Sequence, residues 1–145
     1  KWLGIMTLVV LLGGAATAVQ AGVNGALGSK VGTIEGAFTS FLIGTVALFL
    51  LMMFLGKGNV LEIVSLPKWQ LTGGLLGALY IIGMVFAVPK IGVASAMVAV
   101  IAGQLLTSAI IDHFGLIGGK PIPIDWQRVV GIALLAAALF LFYKK

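Results

Sequence analysis

Five stretches of about 20 mostly apolar residues, each long enough to cross a bilayer as a helix, fill most of the 145-residue sequence. The first runs from Trp2 to roughly Gly22, and its pattern continues to Gly28. The second covers about Gly36 to Leu55 and is ended by Gly56-Lys57-Gly58-Asn59. The third spans Leu71 to Val88, with Pro89-Lys90 expected to break it, and the fourth spans Ile91 to Ile111, stopping at Asp112-His113. After a Gly/Pro-rich loop from Gly115 through Pro123, the fifth runs from Trp126 to Tyr143. Ser29 to Thr33 reads as a short turn, and Val60 to Lys68 is too short to span and reads as an interfacial segment. Trp2, Trp69, Trp126 and Tyr143 fall at span ends, where amphipathic rings prefer the headgroup layer.

Composition makes the same demand. Hydrophobic residues are 61% of the chain and charged ones 9%, against roughly a quarter charged in a soluble domain. With a mean hydropathy of +1.21, too few polar side chains remain to cover a surface in water, so lipid is the solvent. The expectation is an all-α integral membrane protein, residues 1–145 forming a single five-helix transmembrane domain. Residues 1–18 also have the outline of a secretory signal, with Ala16-Thr17-Ala18 resembling a cleavage site. The helical pattern runs straight through that point, and we read the segment as the first span.

A net charge of +5 does not indicate a nucleic-acid partner: the nine Lys and Arg residues are scattered singly between apolar runs, without the basic, aromatic-laced face that such binding needs. The chain has no Cys, which excludes disulfides and thiolate metal sites, and one His without clustered carboxylates is not a metal site. No cofactor is expected. Neither a nucleophile elbow, nor a phosphate-binding Gly-Lys-Ser/Thr loop, nor a His-Glu-x-x-His motif occurs, so the chain does not read as an enzyme or as an ATP-driven pump.

Orientation is nearly undetermined by charge. Lys1, Lys57, Lys68, Lys120 and Arg128 fall on one side, and Lys30, Lys90, Lys144 and Lys145 on the other. The positive-inside rule acts through a Lys/Arg excess, and five against four is almost none. A misplaced span or a missing N-terminal segment would account for this; so would dual topology, in which copies insert both ways and pair head to tail.

The segment Gly103-Gln104-Leu105-Leu106-Thr107-Ser108-Ala109-Ile110-Ile111-Asp112-His113-Phe114-Gly115 resembles the hallmark of the bacterial YdcZ-like inner-membrane family, of the drug/metabolite transporter superfamily. Gln20-Ala21-Gly22-Val23-Asn24-Gly25-Ala26-Leu27 is similar to that family's first-helix motif, and the five-span layout fits along the whole chain. The resemblance implies a half-size transporter unit in the bacterial inner membrane, pairing as an antiparallel dimer of ten helices. It implies a class and no particular cargo.

Polar side chains within spans are costly unless partnered, and they mark bundle interiors or wet pathways. Thr17, Gln20 and Asn24 share one face of the first helix, and Gln104, Ser108 and Asp112 share one face of the fourth. Gln20, Asn24, Tyr80, Gln104 and Ser108 are the candidate substrate-pathway residues; the alternative is that they join helices, and hydroxyls can also bond back to their own helix. Glu35, Asp112 and His113 are candidates for coupling or gating. Glu35 equally suits the positive start of the second helix, and Asp112 and His113 equally suit an anchor at a span end. No carboxylate lies at the middle of a span, unlike the related small multidrug exporters with a membrane-embedded Glu in their first helix, so proton-coupled export of lipophilic cations is disfavoured. Gly73 and Gly77, Gly36-Ser40-Gly44, and Ala133 and Ala137 form small-residue stripes expected to pack helices closely.

These features point to a secondary transporter of small organic solutes, exporter or facilitator, working as an antiparallel homodimer. The alternative is a non-transporting scaffold or accessory subunit whose polar residues only hold helices together; a lipid flippase would need a polar groove open to the bilayer.

Overall fold

The computed structural model describes residues 1–144. Its elements are α1 (Trp2–Val31), α2 (Thr33–Leu55), two short 3-10 helices (Val60–Ser65 and Lys68–Leu71), α3 (Gly73–Ile91), α4 (Val93–Phe114) and α5 (Trp126–Tyr143). All five long helices are long and apolar enough to cross a membrane. The segment between α2 and α3 stays short of a span, as expected, and Asn59 caps its first 3-10 helix by accepting the Leu61 amide at 3.0 Å.

Two expected breaks fall elsewhere. The turn expected over Ser29–Thr33 is a single residue: α1 continues to Val31, and Gly32 alone, at φ 109° and ψ 152°, separates it from α2. That backbone region is open in practice to glycine, so one residue suffices where a longer turn would otherwise be needed. Likewise α3 runs through Pro89 to Ile91 and ends at Gly92, at φ 87° and ψ 164°. Proline removes one hydrogen bond to the preceding turn, a loss the final turn tolerates, so the glycine sets the break. Lys90 at this end folds back, its Nζ 3.9 Å from the centre of the Phe86 ring, a cation–π contact.

The chain forms two compact units, Lys1–Lys90 and Ile91–Lys145. In the first, α1 and α2 pack as a hairpin. Gly36 is buried so closely on α1 that a Cβ there would stand 2.9 Å from the Gly28 Cα. The third helix packs on both: Val85 lies against Gly28, Val88 against Gly25, and the Phe41 ring reaches Gly77. Ala37, Ile81 and Val85 form the buried core here, with Phe41 and Ile82 packed around it.

In the second unit α4 and α5 are antiparallel and tied at both ends. At one end Arg128 pairs with Asp112 at 3.2 Å; at the other the Tyr143 hydroxyl donates to the Ser95 carbonyl at 2.7 Å. Asp125 caps α5 by accepting the Arg128 amide at 2.8 Å, and Gly115, in the left-handed conformation, closes α4.

The expected small-residue stripes are only partly the contact surfaces. Gly36 is buried, but Gly44 and Gly73 have open space where a Cβ would go. Ala133 and Ala137 are exposed, and the half-buried residues of α5 include Ile132, Leu135, Ala138 and Leu139 instead. Spacing identifies small residues but not the azimuth at which a neighbour arrives. The close approach of α1 and α2 predicts that Gly36→Val destabilises the protein by about 1–3 kcal/mol through overpacking, read as a lowered midpoint in denaturant titration of the detergent-solubilised chain.

Candidate functional site

Gln20, Asn24, Glu35 and Tyr80 belong to the first unit, and Gln104, Ser108, Asp112 and His113 to the second. On α1 the buried residues are Ala21, Asn24, Gly25 and Gly28, a single face at helical spacing. Asn24 is the buried polar side chain of the described core, with 5% of its surface accessible. It makes no side-chain hydrogen bond among the described residues, so its amide keeps its donors and acceptor. Gln20, one turn earlier, is exposed. Tyr80 on α3 is 37% exposed, its ring at the edge of the packed region.

The hydroxyls behave differently. Thr17 donates to the Gly13 carbonyl at 2.8 Å, and Ser108 donates to the Gln104 carbonyl of its own helix. Such back-bonding satisfies the donor locally and leaves only acceptor capacity for a solute. Glu35 occupies the first turn of α2, where its carboxylate meets the positive helix end and lies close over Gly32.

Asp112 and His113 fasten the loop between α4 and α5. Besides pairing with Arg128, Asp112 accepts the Ile122 amide on its backbone carbonyl at 2.6 Å. The Ile124 amide donates to His113 Nδ1 at 3.0 Å, which requires that nitrogen to be unprotonated and puts the ring proton on Nε2. The His113 ring also stands edge-on to Phe114, centroids 4.7 Å apart. Both residues therefore do the anchoring work that a span end calls for.

Between α4 and α5 lies a cleft of about 270 Å³ lined by Leu105, Ser108, Ala109, Asp112, Arg128, Gly131 and Ile132. It joins two residues of the α4 polar stripe, Ser108 and Asp112, to a guanidinium from α5. A larger hollow of about 500 Å³ at the end of α2 has Asn59 as its polar side chain, and Asn59 is committed to its cap. Arg128 and Ser95 are the functional-looking partners that sequence reading passes over. The signal for Arg128 was present: an acid ends one span and an arginine opens the next, across a single loop.

Compared with known proteins, residues 5–141 match the family model described as "Putative inner membrane exporter, YdcZ". No curated protein and no solved structure matches.

His113 holds the loop through one hydrogen bond worth about 1 kcal/mol. His113→Ala is accordingly predicted to raise thermolysin cleavage between Leu116 and Ile117 by about fivefold, with little change in thermal midpoint, measured by timed proteolysis of the detergent-solubilised chain.

Proposed function

The chain belongs to the YdcZ family of inner membrane exporters and is a multi-pass inner-membrane protein, and from that premise we propose that it exports small organic solutes as an antiparallel pair of identical copies. What carries the reading is the reach of the family match, which runs through all five helices of spanning length. Two polar amides, Asn24 and Gln104, with Gln20 and Tyr80, line the solute's path. Each has hydrogen-bonding capacity that its own helix does not absorb, in contrast to Thr17 and Ser108.

The pairing rests on charge. Helix alternation puts Lys1, Lys57, Lys68, Lys120 and Arg128 on one membrane side and Lys30, Lys90 and Lys144 on the other; Lys145, which completes the five-to-four tally, lies outside the described residues. So small a bias lets copies insert either way, and two oppositely inserted five-helix units compose the inverted repeat on which many transporters build a midplane site. Asp112 is held by Arg128 and Glu35 by the start of α2, so the driving force fits a facilitator better than a proton-coupled exporter.

Reporters fused to each terminus in living cells test the pairing: comparable labelling on both membrane sides is expected, and a single dominant orientation overturns the homodimer. The pathway is tested by mass spectrometry of culture medium from expressing cells. Extracellular enrichment of one or more metabolites should fall at least about tenfold in the triple variant Gln20→Ala, Asn24→Ala, Gln104→Ala, three lost hydrogen bonds at about 1 kcal/mol each being ample for that. Unchanged enrichment at equal expression removes these residues from the path.

A further inference from the structure

The buried residues of α1 are Ala21, Asn24, Gly25 and Gly28, and those of α3 are Ile81, Met84, Val85 and Val88. Each member of the second set is the corresponding member of the first plus 60. The correspondence extends along the chain: residue by residue, the pattern of burial over 11–30 is reproduced over 71–90. Aligned at that offset, 11–32 and 71–92 share Leu11/Leu71, Gly13/Gly73, Gly14/Gly74, Ala18/Ala78, Lys30/Lys90 and Gly32/Gly92. Six identities in apolar, glycine-rich helices would be weak by themselves, because composition alone produces some. The backbone adds to them: Gly32 and Gly92 both take a positive φ with extended ψ, 109°/152° and 87°/164°, and each is followed at once by the next helix.

The contacts settle how the copies meet. Gly25 lies against Val88, and Gly28 against Val85. Adding 60 to Gly25 gives position 85, and subtracting 60 from Val88 gives position 28, so either contact generates the other. That reciprocity is the mark of an isologous, two-fold interface. Its metric agrees: a Cβ on Gly25 would stand 3.3 Å from the Val88 Cβ, and one on Gly28 would stand 3.6 Å from the Val85 Cβ. Both α1 and α3 are odd-numbered spans and cross the bilayer in the same sense, so the axis runs along the membrane normal, as in parallel transporter repeats.

We infer that residues 11–32 and 71–92 are two copies of one helix ending in a positive-φ glycine, offset by 60 residues, and that the two copies meet across a quasi-two-fold axis, glycines on one side receiving valines from the other. The interaction surface is the face 21–28 of α1, and the partner it fits is the same face of the second copy. One consequence is that Gln20 and Tyr80 are equivalent positions at one membrane depth, one polar side chain from each copy, and Lys30 and Lys90 emerge on the same membrane face. The inference stands on contacts within one chain and does not depend on transport.

A residue exchange across the axis tests it. Gly25→Val with Gly28→Val sets valine against valine and should lower the apparent melting temperature of the detergent-solubilised full chain by about 5 °C or more. Adding Val85→Gly and Val88→Gly restores the native composition with the two faces interchanged. A quasi-two-fold interface accepts the exchange, so the quadruple variant should regain at least half of the loss. A quadruple variant no more stable than the double, or a double variant that loses nothing, overturns the inference. Should the valine variants not fold, paired cysteines decide in a chain that has none of its own. Gly25→Cys/Val88→Cys and Gly28→Cys/Val85→Cys both lie within disulfide reach, and intrachain cross-links should form at rates within about threefold. Formation of one alone, or of neither, refutes the reciprocity.

Discussion

Gly28 is where the first unit is held together, because α2 and α3 both close on it. Val85 of α3 occupies the space its Cβ would take, and Gly36 of α2 comes within reach of its backbone. In lipid no hydrophobic force distinguishes a helix neighbour from an acyl chain, so helices associate through close van der Waals contact and a few hydrogen bonds. Such contact decays steeply with separation: a side chain at position 28 would part α3 from α1, and one at position 36 would part α2 from α1. The rest of that unit follows from this junction: Ala37, Ile81 and Val85 are buried beside it, and Asn24 is buried one turn before it on the same face.

The second unit is fastened by other means. Its antiparallel helices are joined by the Asp112–Arg128 pair at one end and by the Tyr143–Ser95 bond at the other. Both lie at span ends, within reach of the headgroups and water. The side chains of the ion pair are 38% and 42% accessible, and a pair so open contributes only about 0–1 kcal/mol. It therefore sets register more than it supplies stability. The His113–Ile124 and Asp112–Ile122 bonds add to it by folding the connecting loop back over the end of α4.

The span count and the fifth span's limits could be read directly, because apolar length and aromatic end markers are local properties of sequence. Breaks are harder: the sequence points to Pro89 where Gly92 ends the helix, and to a turn over Ser29–Thr33 that Gly32 makes alone. Both misreadings have one origin, since a positive φ leaves no trace in sequence beyond a glycine, and this chain has 21. Packing faces were the least legible. Gly73 and the Ala133/Ala137 stripe satisfy the spacing rule, but no neighbour arrives at their azimuth, whereas Gly25 and Gly28, which do the packing, stand within and just after what reads as a polar motif. Candidate residues were recoverable as types, and their partners were not: Asp112 was conspicuous, while Arg128 is 16 residues away and became meaningful only with the loop closed.

The polar side chains whose bonds stay within the fold narrow where function can reside. Thr7, Thr17, Ser29, Thr39 and Ser108 each donate to a carbonyl one turn back, and Asp112 and His113 are engaged in fastening α4 to its loop. Helix geometry makes that economy available to hydroxyls, whose short side chains reach the i−4 carbonyl. It does not serve a longer amide so readily, because an amide presents two donors and an acceptor, and one back-bond leaves the others wanting. Gln20, Asn24 and Gln104 therefore carry hydrogen-bonding capacity that the fold does not consume. In a hydrocarbon surrounding, such capacity is costly unless water, another helix or a solute meets it. Asn24 lies on the buried face of α1, one turn before Gly28, and its amide atoms are not sealed off. Packing alone does not call for an amide there, and its donors and acceptor stay open to a partner.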